Sequence, residues 1–202
     1  MKKLLVIIAA LFVAVSAHAQ LGVVAGITSS SSNLKDAKDN FSNISQYHAG
    51  LTCKIGFGEI FAIQPSIIYN MKGTKISEIK DVSSEVDYKT GYLEVPVQLQ
   101  LGAGVRDIFR VYGFAEPFVG YALTNQVTKN GNTQTDWEQV KNKLEYGVSL
   151  GAGLELIKHV QVSLKYFWNL GNVYDFDLDA ASSKVGQEAT CNGIAASVAI
   201  LF

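Results

Sequence analysis

Leu144-Glu145-Tyr146-Gly147-Val148-Ser149-Leu150-Gly151-Ala152-Gly153-Leu154-Glu155-Leu156 alternates, residue by residue, between an apolar side chain and a small or polar one. A period of two is the mark of a strand with one apolar face, whereas an α-helix groups its apolar residues every third or fourth position. The same rhythm returns over 160–168 and again from Ile194 to Phe202. Strands of about ten residues with this alternation, no continuous apolar run and an aromatic last residue are what a transmembrane β-barrel requires.

Reading outward by the same period places strands at 21–28, 46–57, 59–70, 90–102, 109–123, 143–156, 159–170 and 191–202. Their connections alternate in length. Those at 29–45, 71–89, 124–142 and 171–190 are long and carry water-seeking stretches such as Lys35-Asp36-Ala37-Lys38-Asp39-Asn40 and Lys129-Asn130-Gly131-Asn132; those at 56–59, 102–108 and 157–159 are short. The pattern predicts an all-β, eight-stranded antiparallel up-and-down transmembrane barrel, with long extracellular loops, short periplasmic turns and both chain ends on the periplasmic side. Pro65, Pro96 and Pro117 fall inside these strands. Each deletes a ladder donor and is expected to mark a bulge.

At the start, Met1-Lys2-Lys3, the apolar run 4–15 and Ala17-His18-Ala19 read as an export signal cut before Gln20. Residues 1–19 are therefore set aside as a signal peptide and 20–202 form one barrel domain, bound for the cell outer membrane. No Cys follows the cut, which argues against a lipid anchor. A net charge of −1 with no Lys/Arg cluster excludes nucleic acid as a partner. Cys53 and Cys191 fall on opposite faces of their strands, which predicts two free thiols.

Alternation alone does not say which face meets lipid, since a soluble lipocalin-like cup alternates with the opposite sidedness. The second face decides it. It is mostly Gly, Ser, Ala, Thr and Gln with isolated charges, too sparsely charged for the outside of a soluble protein and suited to a narrow lumen. Tyr47, Tyr69, Tyr166 and Trp168 fall near the outer strand ends on the apolar face, and Phe57, Phe109 and Phe202 near the inner ends, as an interfacial girdle would. Outer-membrane lipid is thus one predicted partner, and the barrel-assembly machinery, through the last strand and Phe202, another. The lumen phase then holds Lys54, Gln64, Glu94, Gln98, Gln100, Arg110, Tyr112, Glu116, Glu145, Glu155 and Lys165. Of these, Lys54, Glu94, Arg110, Glu116, Glu145, Glu155 and Lys165 form a predicted structural polar network, closing a barrel just wide enough for its side chains. With paired residues of strands four and five summing to about 210, Glu94 faces Glu116 and Lys165 is expected to bridge the two.

No catalytic, cofactor or metal site is predicted. His48, on the lumen phase near the top of strand two, is the one mature histidine placed at the outer rim; His159 falls in an inner turn. Serines at 29–32 and acids such as Asp87 and Asp175 share the outer end, yet no nucleophile, zinc or phosphate-cradle motif accompanies them. Asp175, Asp177 and Asp179 resemble part of a calcium loop but lack its Gly and closing Glu at the required offsets. Gly102, Gly104, Gly151 and Gly153 lead into no helix and read as small lumen or turn residues. The expectation is a closed barrel with a structural, adhesion or binding role through its outer loops, where a protein or glycan is the candidate ligand. A narrow channel, an export-associated component and, more remotely, a rim enzyme are the alternatives.

The segment Tyr92-Leu93-Glu94-Val95-Pro96-Val97 with 98–101 after it, the Ala19-Gln20 junction, Gln64-Pro65-Ser66-Ile67-Ile68-Tyr69 and Gly151-Ala152-Gly153 together resemble the PorT-like outer-membrane β-barrel family of Bacteroidetes-type bacteria. The resemblance covers nearly the whole mature chain. It implies an eight-stranded outer-membrane barrel in a family most of whose members have no assigned activity, with a founding member linked to protein export. It offers no catalytic residues to transfer.

Overall fold

Because hydrocarbon cannot satisfy backbone N–H and C=O groups, a strand that enters it must be paired on both sides, and a sheet must close. The computed structural model of the chain, described here for residues 19–33, 41–76, 86–105, 108–129, 132–134, 143–171, 174–176 and 187–202, shows that closure. The strands are β1 (Ala19–Asn33), β2 (Phe41–Phe57), β3 (Phe61–Ile76), β4 (Val86–Val105), β5 (Phe109–Lys129), β6 (Asn132–Gln134), β7 (Leu144–Leu156), β8 (Val160–Asn169), β9 (Tyr174–Phe176) and β10 (Gln187–Leu201). The eight long strands pair antiparallel in chain order, and β10 returns to β1 from Gly22↔Leu201 to Asn33↔Thr190. The short β6 and β9 extend the outer ends of β5 and β10. The expected signal segment and the Lys35–Asn40 stretch lie outside the described residues.

The usual burial rule is inverted. On β7 the apolar Leu150 is 56% exposed while Glu145 is 0% exposed, so the apolar face looks out to lipid and the polar face lines the lumen. A lipocalin-like cup would show the reverse. On β4 the outward apolar run from Leu93 to Val105 spans about 41 Å of strand, or about 30 Å along the normal at a barrel tilt of about 40°. That covers the ~25 Å apolar band of such barrels. Exposed Tyr47, Tyr121, Tyr146, Tyr166 and Trp168 ring the outer half, and exposed Phe57, Phe109 and Phe202 the inner end.

Several expectations are corrected. The strands run further outward than the apolar pattern, because backbone pairing continues above the lipid, and Ser29, Ser30 and Lys72 lie in strands rather than loops. None of the three prolines marks a bulge. The β2–β3 ladder skips 53–54 opposite 64–65, β3–β4 skips 66–67 opposite 95–96 and β4–β5 skips 97–98 opposite 116–117, each resuming in the same register. A proline here costs rungs, not an inserted residue. The register shifts lie elsewhere, between Asn43 and His48 and at Gly91/Tyr92, where Leu123 is the extra residue. The β4–β5 pairs sum to 214, as in Pro96↔Phe118, because both strands run down to Val105↔Phe109. Glu94 therefore faces Gly120, not Glu116. The backbone of Cys53 pairs with Leu21 and that of Cys191 with Ser32, eleven residues and about 36 Å further along β1.

The lumen is packed large against small. A Cβ built on Gly147 would lie 2.6 Å from the Phe118 ring, and one on Gly153 would lie 2.5 Å from the Tyr112 ring. These glycines make room for inward aromatic rings from the neighbouring strand. The β7–β8 hairpin closes on Ile157 (φ 49°) and Lys158 (φ 60°), a type I′ geometry that normally takes Asn-Gly. A β-branched residue there is strained.

Two outcomes follow. Unboiled protein from outer-membrane fractions runs on a detergent gel as a compact form that shifts on heating; a soluble fraction with no shift would contradict the outward apolar face. Replacing Ile157-Lys158 by Asn-Gly raises the urea unfolding free energy in vesicles by about 1 kcal/mol, and an unchanged midpoint would show the turn to be unstrained.

Candidate functional site: the ionic plug of the lumen

A charged side chain on an inward position faces a space that its neighbours fill, so it must be neutralised by partners rather than by water. The lumen solves this in three tiers. Outermost, Lys72 on β3 reaches Glu94 on β4 at 2.7 Å and crosses to Glu145 on β7 at 3.0 Å. All three are at most 2% exposed. Asn70 donates to Glu94 at 3.0 Å and Asn169 donates to Glu145 at 2.8 Å, occupying further lone pairs of the carboxylates. Three rings surround the ammonium, with centroids at 4.5 Å (Phe118), 4.8 Å (Phe167) and 5.6 Å (Tyr92). A desolvated cation over ring faces gains from the ring quadrupole as well as from the carboxylates. Gly120 lies under the carboxylates, where a Cβ would come within 2.8 Å of Glu145 Oε1.

In the middle tier Lys165 on β8 pairs with Glu116 on β5, and Ser149 lies 3.4 Å from the same carboxylate. His48 is 3% exposed and is held between Ser197 at 2.8 Å and Thr28 at 2.9 Å. Thr28 in turn donates to Asn70 at 3.0 Å, joining the middle tier to the outer one. A cavity of about 30 Å³ lies beside His48, Glu116 and Lys165, room for about one water molecule.

The innermost tier centres on Glu155 of β7, which accepts from Lys54 of β2 at 2.6 Å on both oxygens and from Gln161 at 2.9 Å. Arg110 on β5 lies 3.7 Å from the same carboxylate and donates to Gln100 at 3.0 Å. Gln100 continues to Gln64 and Gln98 at 2.9 Å each, and Tyr112 stacks on the guanidinium at 5.3 Å.

Every residue of the predicted polar network thus lies in the lumen, but two pairings differ from expectation. Lys165 holds Glu116 alone, and Glu94 belongs to Lys72. The four-residue register difference separates the two glutamates. His48 is not at the rim, because β2 continues outward to Phe41. Sequence reasoning missed Lys72, assigned to a loop because it follows the last apolar outward residue. It also missed Asn125, which the extra residue Leu123 turns inward to accept from Thr90 at 2.7 Å. The Lys-Gly-Thr at 72–74 carried no signal; the inward aromatics did, since Tyr92, Phe114 and Phe118 share the parity of Glu94 and Glu116. No group of three or more metal-ligating side chains occurs among the described residues. Asp177 and Asp179 of the calcium reading lie outside them.

With this geometry in hand, a family model described as "Outer membrane protein beta-barrel domain" matches residues 14–175. Among solved structures the chain is similar to Neisserial surface protein A (11% identity, 90% of this chain and 97% of that one, TM-score 0.48). It is also similar to Ail of Yersinia pestis in complex with the heparin analogue sucrose octasulfate (12%, 92% and 99%, 0.45) and to OprG of Pseudomonas aeruginosa (14%, 91% and 91%, 0.42). No curated protein sequence matches.

Removing one partner of a buried ion pair leaves an uncompensated charge, at about 3–5 kcal/mol. Lys72→Met is therefore expected to destabilise the barrel by about that much in urea titrations in vesicles, and the triple variant Lys72→Met/Glu94→Gln/Glu145→Gln to recover most of it. Equal stability of the single variant and wild type would mean that water, not Lys72, neutralises the carboxylates.

Proposed function

We propose that this chain, which belongs to the outer membrane protein β-barrel domain family, is a sealed barrel that displays its outer loops as a binding or adhesion surface. The observation that carries the reading is the three-tier plug. Two carboxylates, an ammonium and three rings obstruct the outer half of the lumen, and a cross-lumen Lys54–Glu155 pair obstructs the inner half. A lumen closed in this way leaves recognition to the connections at the outer strand ends, whose mixed-charge composition, as in Lys35–Asn40, suits contact with water. Their ligand belongs to the protein or glycan class.

The reading includes no catalytic step and no cofactor. Ser197 and His48 adjoin a space of about one water molecule rather than a substrate cleft. Residues 1–19 serve as the export signal, and the strand ending at Phe202 engages the barrel-assembly machinery. The segments at 64–69, 92–97 and 151–153 support placing the chain in the PorT-like branch of the family. An export-associated role is the second reading, favoured by that branch alone.

Purified wild-type protein is expected to be silent in a planar lipid bilayer. Unitary conductance steps that change with Glu116→Gln would overturn the sealed-barrel reading in favour of a channel through the middle tier. Replacing residues 34–40 and 135–142 by Gly-Ser linkers is expected to leave heat-modifiable barrels in the membrane while abolishing binding of whole cells to immobilised glycoprotein. Binding that survives both replacements would move recognition away from these loops.

A further inference from the structure

Counted over the described lumen, Lys54, Lys72, Arg110 and Lys165 balance Glu94, Glu116, Glu145 and Glu155. The balance is not local. The outer tier sets two carboxylates on one ammonium, while the inner tier sets two cations on the single carboxylate of Glu155. The barrel is therefore polarised along its axis, with its surplus cation at the inner mouth. There the wall opens into a cavity of about 730 Å³ whose charged lining, among the described residues, is Lys54, Arg110, Lys158, Glu59 and Glu155, three cations against two carboxylates. That volume lies in the ~300–1,000 Å³ range of small-molecule sites. Low-dielectric walls focus the positive field out through the open end.

The cavity is built rather than incidental. Arg110 is fixed by donating to the carbonyls of Glu59 at 3.2 Å and Ile60 at 3.0 Å and to Gln100 at 3.0 Å. These bonds use three of its five N–H donors, and the two from Lys54 to Glu155 use two of its three, so both cations retain donors for another oxyanion. The turns around the mouth are tied to one another and to the strands: Gly102 N to Ile60 O at 2.8 Å, Ile157 N to Ile108 O at 2.9 Å, and Leu201 N to His159 O at 2.7 Å. Gln20 binds the carbonyl of Lys158 at 3.2 Å. A mouth braced in this way loses little on binding. The strained Ile157-Lys158 turn fits the same account, since left-handed non-glycine residues persist where surrounding structure holds them at a site.

We propose that this inner vestibule is a binding site for a carboxylate or phosphate group presented from the periplasmic side, held by Lys54, Arg110 and Lys158. The site is separate from the outer loops and does not depend on what they bind. The plug above it makes it a blind pocket, so that an anion enters and leaves by the same mouth.

The test is solution NMR of the ¹⁵N-labelled barrel in maltoside micelles, which carry no phosphate headgroup, titrated separately with inorganic phosphate and with citrate. The amides of Gly102, Gly104 and Lys158 are expected to shift and saturate while those of Gly120 and Gly147, beside the outer tier, stay still. Arg110→Gln is expected to weaken binding about tenfold, as loss of a charge-assisted hydrogen bond does. Lys158→Gln, on an exposed turn outside the strand ladders, is expected to weaken it about threefold, so an unfolded Arg110 variant does not leave the question open. Saturation by phosphate alone identifies a phosphate-bearing ligand and saturation by citrate alone a carboxylate-bearing one; both support the site. Shifts that never saturate, that spread equally to the outer tier, or that are unchanged in Lys158→Gln overturn it.

Discussion

A charge that cannot reach water has to be neutralised by another side chain, and in this barrel that requirement organises the lumen. Backbone ladders join each long strand to only two other long strands. Three of the ion pairs join strands that do not touch: Lys54 on β2 to Glu155 on β7, Lys72 on β3 to Glu145 on β7, and Glu116 on β5 to Lys165 on β8. They act as struts across the cylinder. Interior ion pairs seldom add much net stability over apolar packing, but they discriminate strongly against arrangements in which a charge loses its partner. Here the struts select one registration of opposite walls.

The same struts decide what the barrel can do. An outer tier of carboxylates, ammonium and rings shuts the end that faces the surroundings, and it needs glycine at position 120 and inward rings at 92, 118 and 167 to fit. The inner tier closes the lumen on one carboxylate and leaves an open mouth below it. On the reading proposed above, function is divided between two ends that do not communicate through the lumen: hydrophilic connections outside and a cationic vestibule inside. The division is electrostatic, because a lumen neutral in total carries its surplus charges at opposite ends.

Some of this was legible in the residues. Leu144 to Leu156 assigns in and out without any knowledge of neighbours, since strand side chains alternate whatever the strand pairs with. Lys54, Glu94, Arg110, Glu116, Glu145, Glu155 and Lys165 all face the lumen for that reason. Lys72 was illegible because its strand continues past the lipid, where the apolar signal stops but the backbone ladder does not. Asn125 was illegible because one extra residue reverses the parity beyond it. The prolines misled in the other direction: a missing donor suggests a bulge, yet the ladder omits its rungs and keeps its register.

By itself, then, the amino-acid order determined the closed all-β architecture, the lipid-facing surface and the list of lumen side chains, because these depend on period and on the polarity of each face. Which glutamate meets which lysine was decided only in the tertiary structure. A pairing error of four residues preserves parity and leaves every side chain on its face, so face assignments survive it. The partners do not, because an ion pair depends on height along the barrel and on which strands stand opposite, and only closure of the sheet sets both.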